Sequence, residues 1–271
     1  MKNNLFVLLM QHTFATNNKM DNVMKKILLL MAIALPFVFI SCGDDKDEPE
    51  VPDNNEYVDL GLPSGTLWAK CNVGANSPEE YGDYFSWGET TPKDVYEWSN
   101  YKLAHWVYDT ISDHFYRVVE ETWYKYYKRN WTDNGYVEGD GKMELDLEDD
   151  AAYVNCGPSW RMPTLEQLQE LIEKCNWKWT QMNGVKGHLV TGPNGNSIFL
   201  PAAGSRSTNL YNDGMYAYYW SRTLCSSEKL TIEAADQGEA YIMFFNYWGD
   251  HHVWYDKRYD GNSVRAVRVK K

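Results

Sequence analysis

Tyr57-Val58-Asp59-Leu60-Gly61-Leu62-Pro63-Ser64-Gly65-Thr66-Leu67-Trp68-Ala69-Lys70-Cys71-Asn72-Val73-Gly74 sets the fold class of the chain. Leu67, Ala69, Cys71 and Val73 alternate with Thr66, Trp68, Lys70 and Asn72, a period of two that sends successive side chains to opposite faces and predicts a half-buried strand. Pro63-Ser64-Gly65 carries turn chemistry, so residues 57–60 are expected to pair back on that strand as a short hairpin.

Further along, Leu165, Leu168, Leu171, Ile172 and Cys175 recur at helical spacing behind Pro163-Thr164. Gln167 stands three residues after Thr164, the spacing of a capping box, which predicts a helix over 164–175. A shorter helix is expected over 147–155, capped by Asp146 and stopped at Gly157, with Glu148, Asp149 and Asp150 favoured by its N-terminal dipole. The same acids could alternatively hold a metal. Beyond this point the pattern is β. Leu189-Val190 and Ile198-Phe199-Leu200 flank Gly192-Pro193-Asn194-Gly195 as a hairpin, and 240–245, 253–255 and 263–269 read as short strands. In the last of these, Val264 and Ala266 share one face and Val267 and Val269 the other, which implies a bulge or burial on both faces. The stretch 95–145 is rich in Trp and Tyr without clean periodicity and is expected to be an insertion whose rings stack across loops.

Composition limits the function classes. With 44% hydrophobic and 24% charged residues the body has a globular make-up, and 12 Trp, 20 Tyr and 9 Phe exceed what a core of this size usually absorbs, so some rings should reach the surface. A net charge of −12 opposes contact with phosphate backbones, and nucleic acid is not expected as a partner.

The first residues read as an address. Lys25-Lys26 precede the uncharged run 27–40, too short for a bilayer span of about 20 apolar residues but suited to the core of an export signal. Phe39-Ile40-Ser41-Cys42 resembles a bacterial lipobox, which implies cleavage before Cys42, lipidation of its thiol and outer-membrane lipid as a partner. Residues 1–41 are then a signal peptide with Met24, or alternatively Met20, as the expected start. The charged run 43–50 opens a flexible tether, residues 42–55, similar to the acidic tags of surface-exposed Bacteroidetes lipoproteins; a periplasm-facing anchor is the alternative. Export places Cys71, Cys156, Cys175 and Cys225 in an oxidising compartment, where four thiols allow three connectivities. Cys71 with Cys175 is the favoured pair, since each sits on the apolar side of a marked element, and free buried thiols are the other reading. No zinc spacing occurs.

From residue 56 to 271 the chain resembles the Fibrobacter succinogenes major paralogous domain family, a C-type-lectin-like group. The resemblance is carried by the 57–74 stretch, by Tyr84-Phe85-Ser86-Trp87-Gly88-Glu89-Thr90 and Trp160-Arg161-Met162-Pro163-Thr164, and by Asn196-Ser197-Ile198-Phe199-Leu200-Pro201-Ala202-Ala203-Gly204. Tyr219-Trp220-Ser221 and Ser263-Val264-Arg265-Ala266-Val267-Arg268 complete it, while Arg222 and a charged insertion at 228–237 depart from the family pattern. It implies an α+β fold: a twisted, mainly antiparallel sheet in which the terminal strands pair, one or two helices, and long loops at one end. This fold hosts sugar binding, protein binding and an oxidase lineage alike.

The sequence shows no GxSxG, HExxH or P-loop, and no cofactor or resident metal is expected. Asp250-His251-His252 has metal-ligand chemistry, but adjacent His residues in an extended segment point to opposite faces. The residues expected to bind a protein or glycan are Tyr211, Asn212, Tyr216, Tyr218, Asn246, Tyr247, Trp248, Asp250, His251, His252, Trp254 and Tyr255, because Tyr and Trp give large contact area at low side-chain entropy cost. The expectation is a non-catalytic surface lipoprotein. A variable protein of a diversity-generating retroelement, a fimbrial-tip or structural component, and an enzyme of the formylglycine-generating-like fold are the alternatives.

Overall fold

A computed structural model describes residues 57–112, 115–132, 135–225 and 238–269. The expected signal peptide, the lipidation site Cys42, the tether and the 228–237 stretch lie outside the described residues. The strands of the first half are β1 (Tyr57–Asp59), β2 (Thr66–Ala69), β3 (Tyr84–Phe85), β4 (Ala104–Ser112), β5 (Phe115–Trp123), β6 (Arg129–Thr132) and β7 (Gly135–Glu138). Helices α1 (Ala151–Cys156) and α2 (Leu165–Lys174) follow. The remaining strands are β8 (Asn176–Met182), β9 (Val185–Thr191), β10 (Ser197–Pro201), β11 (Ser205–Arg206), β12 (Leu210–Tyr211), β13 (Tyr216–Leu224), β14 (Glu239–Asn246), β15 (His251–Lys257), β16 (Asn262–Ser263) and β17 (Val267–Val269). Among the described residues the fold is α+β, mostly sheet with two α-helices and no barrel. Among the described residues no helix is long and apolar enough to cross a membrane.

The opening hairpin forms as its sequence dictates, with Tyr57 opposite Ala69 and Asp59 opposite Leu67. β2 also pairs with β17, so the first and last described strands share a sheet. The expected half-buried strand differs in two ways. All four residues of β2 are buried, because the strand is central and both its faces are covered. It also ends at Ala69 rather than running on to Val73, since the carbonyls of Ala69 and Lys70 turn to the Arg265 guanidinium.

The stretch 263–269 is not one strand with a bulge. β16 joins the five-stranded sheet β15-β14-β13-β16-β3, while β17 joins the β1-β2-β17 sheet. Val264, Arg265 and Ala266 bridge the two sheets and are fully enclosed. Val73 and Ala69 donate to the carbonyls of Val264 and Ala266 at 2.9 Å each, which stitches this crossing to the end of β2.

Helix α2 starts with the expected capping box. Thr164 Oγ1 accepts from the Gln167 amide at 3.3 Å and Gln167 Oε1 accepts from the Thr164 amide at 2.9 Å. Its Leu168 and Leu171 pack with Ala217, Tyr219, Met243 and Phe245, covering one face of the five-stranded sheet. Helix α1 is capped one turn later than expected, by Asp150 in place of Asp146. The Asp150 carboxylate accepts from the amides of Ala152, Tyr153 and Met162 and is itself buried, so one side chain caps the helix and fastens the 157–164 connection to α2. Residues 147–149 form a single 3-10 turn.

The aromatic insertion is more regular than its sequence suggests, being built on the hairpins β4-β5 and β6-β7. Trp106 lies edge-on to both Trp98 and Trp123. Trp123, Tyr101 and Tyr126 join Trp87, Trp220 and Ile242 in the second large core cluster, on the sheet face opposite α2.

The expected Cys71–Cys175 disulfide is absent: both thiols are free. Cys71 lies near Arg265, Glu79 and Glu80, whereas Cys175 packs at the end of α2 with the other core cluster near Glu170, so the two thiols belong to different neighbourhoods. Burial raises both, Cys175 to about 11, which suppresses their thiolates.

Replacing Arg265 by Met should lower the free energy of unfolding by about 4 kcal/mol or more, because four acceptors lose a charged donor at once. The measure is the urea midpoint, and Arg265→Lys should fall between Met and wild type, as one ammonium cannot span all four positions.

Candidate functional site

The sheet β13-β14-β15 has its α2-covered face built from odd positions, such as Tyr219, Met243, Phe245 and Val253. The register dictates what lies on the other face. Tyr218 stands opposite Phe244, and Phe244 opposite His252, so the three rings form a row across the sheet at 5.4 and 5.2 Å. Trp254 continues the row from His252 at 5.8 Å. Towards the other end Tyr216 lies against Phe244 and against Trp248 of the β14–β15 turn. Among the described residues the insertion packs on the end of this face where Trp220 and Ile242 sit, while His252 and Trp254 on β15 are exposed. Trp248 is 64% exposed, Trp254 52%, Tyr211 51% and Tyr247 41%, so four large rings face water.

Asn246 does not belong among the ligand contacts. It is buried and organises the turn that presents Tyr247 and Trp248. Its Oδ1 accepts from the amides of Trp248 and Asp250 at 2.9 and 3.2 Å, and its Nδ2 donates to Asp250 Oδ2 at 2.9 Å, so Asp250 is engaged in the same turn. The two His residues part as extended geometry requires. His252 joins the open aromatic row, while His251 stacks on Trp177 at 4.9 Å on the opposite face, beside the buried His188. His188 is held below its ordinary value by burial, which keeps it uncharged at neutral pH. Asn212 adopts a left-handed backbone at φ 62° and engages the Tyr218 hydroxyl. Tyr255 is half-buried and stacked on Trp254.

Beside the aromatic row an open cleft of about 240 Å³ is lined on one side by Ser205, Arg206, Ser207, Tyr211 and Tyr218. Asp256 and Asp260 line the other. Of these only Tyr211 and Tyr218 were expected from the sequence. Gly204 sets the first wall: its φ is 65°, and a Cβ there would strike the Tyr211 carbonyl, so the β11-β12 ribbon can close on β13 only with glycine. The second wall comes from the chain leaving β15. Asp260 donates its amide to the Lys257 carbonyl at 2.9 Å, a turn that brings the Asp260 carboxyl back to Asp256. Asn262 Nδ2 and the Lys257 amide donate to Asp256 at 2.8 and 2.9 Å.

The two carboxyls lie within hydrogen-bond range of each other. Burial, and after it the charge of Asp256, push Asp260 up to about 8, so at neutral pH the pair holds one proton. The cleft thus offers a hydroxyl donor, carboxylate acceptors, a guanidinium and two phenol rings.

Asp146, Glu148 and Asp149 also converge. Lys125 Nζ lies 2.7 Å from both Glu148 and Asp149, and the Tyr126 hydroxyl donates to Asp149, so an ammonium balances these acids. Asp150, expected to stand with them, is used in capping α1. Compared with known proteins, the chain matches no family model, no curated protein and no solved structure.

The acid pair carries a pH signature. Above the ordinary carboxylate value the unfolded chain has lost a proton that folded Asp260 keeps, so its contribution to stability is full in acid and declines as pH rises through about 8. Asp260→Asn should therefore match wild type near pH 5 and exceed it by a few degrees of Tm, roughly 2–4 °C per kcal/mol, near pH 9, as followed by circular dichroism.

Proposed function

We propose that this chain is a non-catalytic lipoprotein of the cell surface, anchored through Cys42, whose domain is C-type-lectin-like and binds a glycan on the open aromatic face of β13-β15. The observation that carries the reading is the exposure of Trp254 on β15, of Tyr247 and Trp248 in the β14–β15 turn and of Tyr211 on β12. Flat rings accept the apolar face of a sugar, and polar groups beside them satisfy its hydroxyls. Here those groups are the carboxyls of Asp256 and Asp260 and the hydroxyls of Ser205 and Ser207, in a cleft that shares Tyr218 with the aromatic row.

The geometry also favours binding over catalysis by an acid pair. Asp256 and Asp260 contact each other, whereas glycoside hydrolysis by two carboxyls needs them about 5–9.5 Å apart around the scissile bond. A protein ligand would use the same rings, but nothing comparable in its chemistry calls for a carboxyl pair set in a cleft of single-sugar scale.

The full chain, screened on a glycan array, should give saturable binding that Trp254→Ala and Trp248→Ala each weaken about tenfold or more, with Tm within about 1 °C of wild type since both rings are exposed. Binding unchanged in both variants would remove the aromatic face from the mechanism. The anchor is tested separately: Cys42→Ala should abolish incorporation of labelled palmitate and release the protein from the membrane fraction, and a wild-type chain that takes up no label would overturn the lipoprotein reading.

A further inference from the structure

The chain carries 38 acidic against 26 basic residues, so a partly buried guanidinium should readily find a carboxylate. Arg206 does not. Its backbone is fixed by reciprocal bonds with Gly261, 2.8 Å in each direction, and its guanidinium lies 5.3 Å from the centre of the Tyr84 ring. Among the described residues no acid lies within ion-pair range of it and no side-chain hydrogen bond leaves it. Other arginines of the domain are occupied: Arg265 bonds four acceptors, and Arg222 bonds the Leu145 carbonyl and pairs with Glu144. Arg206 therefore lines the cleft with its planar fork of donors available, and that fork matches the two oxygens of a carboxylate or sulfate.

We propose that the cleft is a subsite for an acidic sugar, in which Arg206 receives the carboxylate or sulfate and the Asp256–Asp260 pair receives ring hydroxyls. The inference rests on the glycan reading above and names the class of sugar. Two bare carboxylates would repel such a ligand. The pair here shares a proton, so the acids and Arg206 together carry little net charge, and a carboxyl and a carboxylate side by side both donate to and accept from hydroxyls. The cleft volume of about 240 Å³ is below the ~300–1,000 Å³ of sites for drug-sized molecules, which suits one sugar ring. Tyr211 and Tyr218 supply its walls, and Tyr218 leads on to the aromatic row, where neighbouring sugars of the same chain would lie.

Isothermal titration of the full chain at neutral pH with a galacturonic acid trisaccharide, its carboxyl-reduced neutral counterpart and a sulfated galactose trisaccharide tests this. The uronate or the sulfate ester should bind at least tenfold tighter than the neutral sugar, and which of the two does so identifies the anion. Arg206→Gln should bring the acidic ligand down to the affinity of the neutral one, while Trp254→Ala weakens all three alike. Equal affinity for neutral and acidic sugars, or a preference that survives in Arg206→Gln, would overturn the acidic-sugar inference and leave the glycan reading standing. Binding of none of these sugars, together with a blank glycan array, would overturn both.

Discussion

Arg265 is the constraint around which the two halves of the chain are arranged. Its guanidinium is fully buried, and among the described residues no carboxylate lies within ion-pair range of it. It is satisfied instead by the carbonyls of Ala69, Lys70 and Phe199 and by Asn72 Oδ1, at 2.7 to 3.0 Å. A buried charge left without such partners is strongly destabilising, so the packing has to bring the end of β2, the β10 strand and the β16–β17 crossing to one point. Each acceptor lies more than sixty positions from Arg265 in sequence, which makes the guanidinium a clasp between the N-terminal hairpin, the middle of the chain and its C-terminal strands. Asn72 extends the clasp, its Nδ2 donating to Tyr219 and to the Tyr81 carbonyl.

A second buried guanidinium positions the site. Arg258 stands in the turn between the two acids of the cleft and points the opposite way, into the core. It donates to the Tyr101 hydroxyl and to the carbonyls of Tyr126 and Lys125 at 2.9 to 3.1 Å, with the rings of Trp123 and Trp87 at 4.4 and 4.8 Å. Cation–π contact in a desolvated setting contributes about 2 kcal/mol or more, so this side chain pins the turn against the insertion. With Arg258 drawn inward, Asp256 and Asp260 are left side by side at the cleft. The aromatic insertion thus holds the acid pair in place without lining the cleft itself.

What the sequence made legible follows the range of the interactions involved. The β1-β2 hairpin, the Thr164 capping box and the β9-β10 hairpin are set by residues a few positions apart, and the chain shows them plainly. The expected elements do not include β8, although Asn183-Gly184, with both φ values positive at 49° and 86°, is the Asn-Gly turn that joins it to β9. The Asp146 cap misses by one turn because Asp150 is chosen by its distant partner Met162, and the alternation at 69–73 misleads because Arg265 diverts the carbonyls of the ladder. Of the site, the exposed rings were legible as a surplus of Trp and Tyr, whereas Asn246 looks like a ligand residue in sequence and is a turn-former in space. Arg206 and the Asp256–Asp260 pair come together only through tertiary structure. The spacing of the two acids was visible, but nothing local marks a turn that folds one carboxyl onto the other.

The surplus of rings then divides along a single boundary. On the face of β13-β15 away from α2, Trp220 and Ile242 are sealed by Leu103, Trp123 and Leu145, while Tyr218 and Phe244 are only partly covered. On the same face β15 carries His252 and Trp254 exposed, Trp254 level with Ile242, and Tyr216 at the start of β13 is half-buried. Core and site are therefore one continuous aromatic surface of one sheet, and what separates them is where the β4-β7 insertion stops. Because the buried end packs the strands in a core, the exposed rings are held at set spacings, an arrangement that would lower the ordering cost of the proposed binding. A longer insertion would convert site into core and a shorter one would expose Trp220.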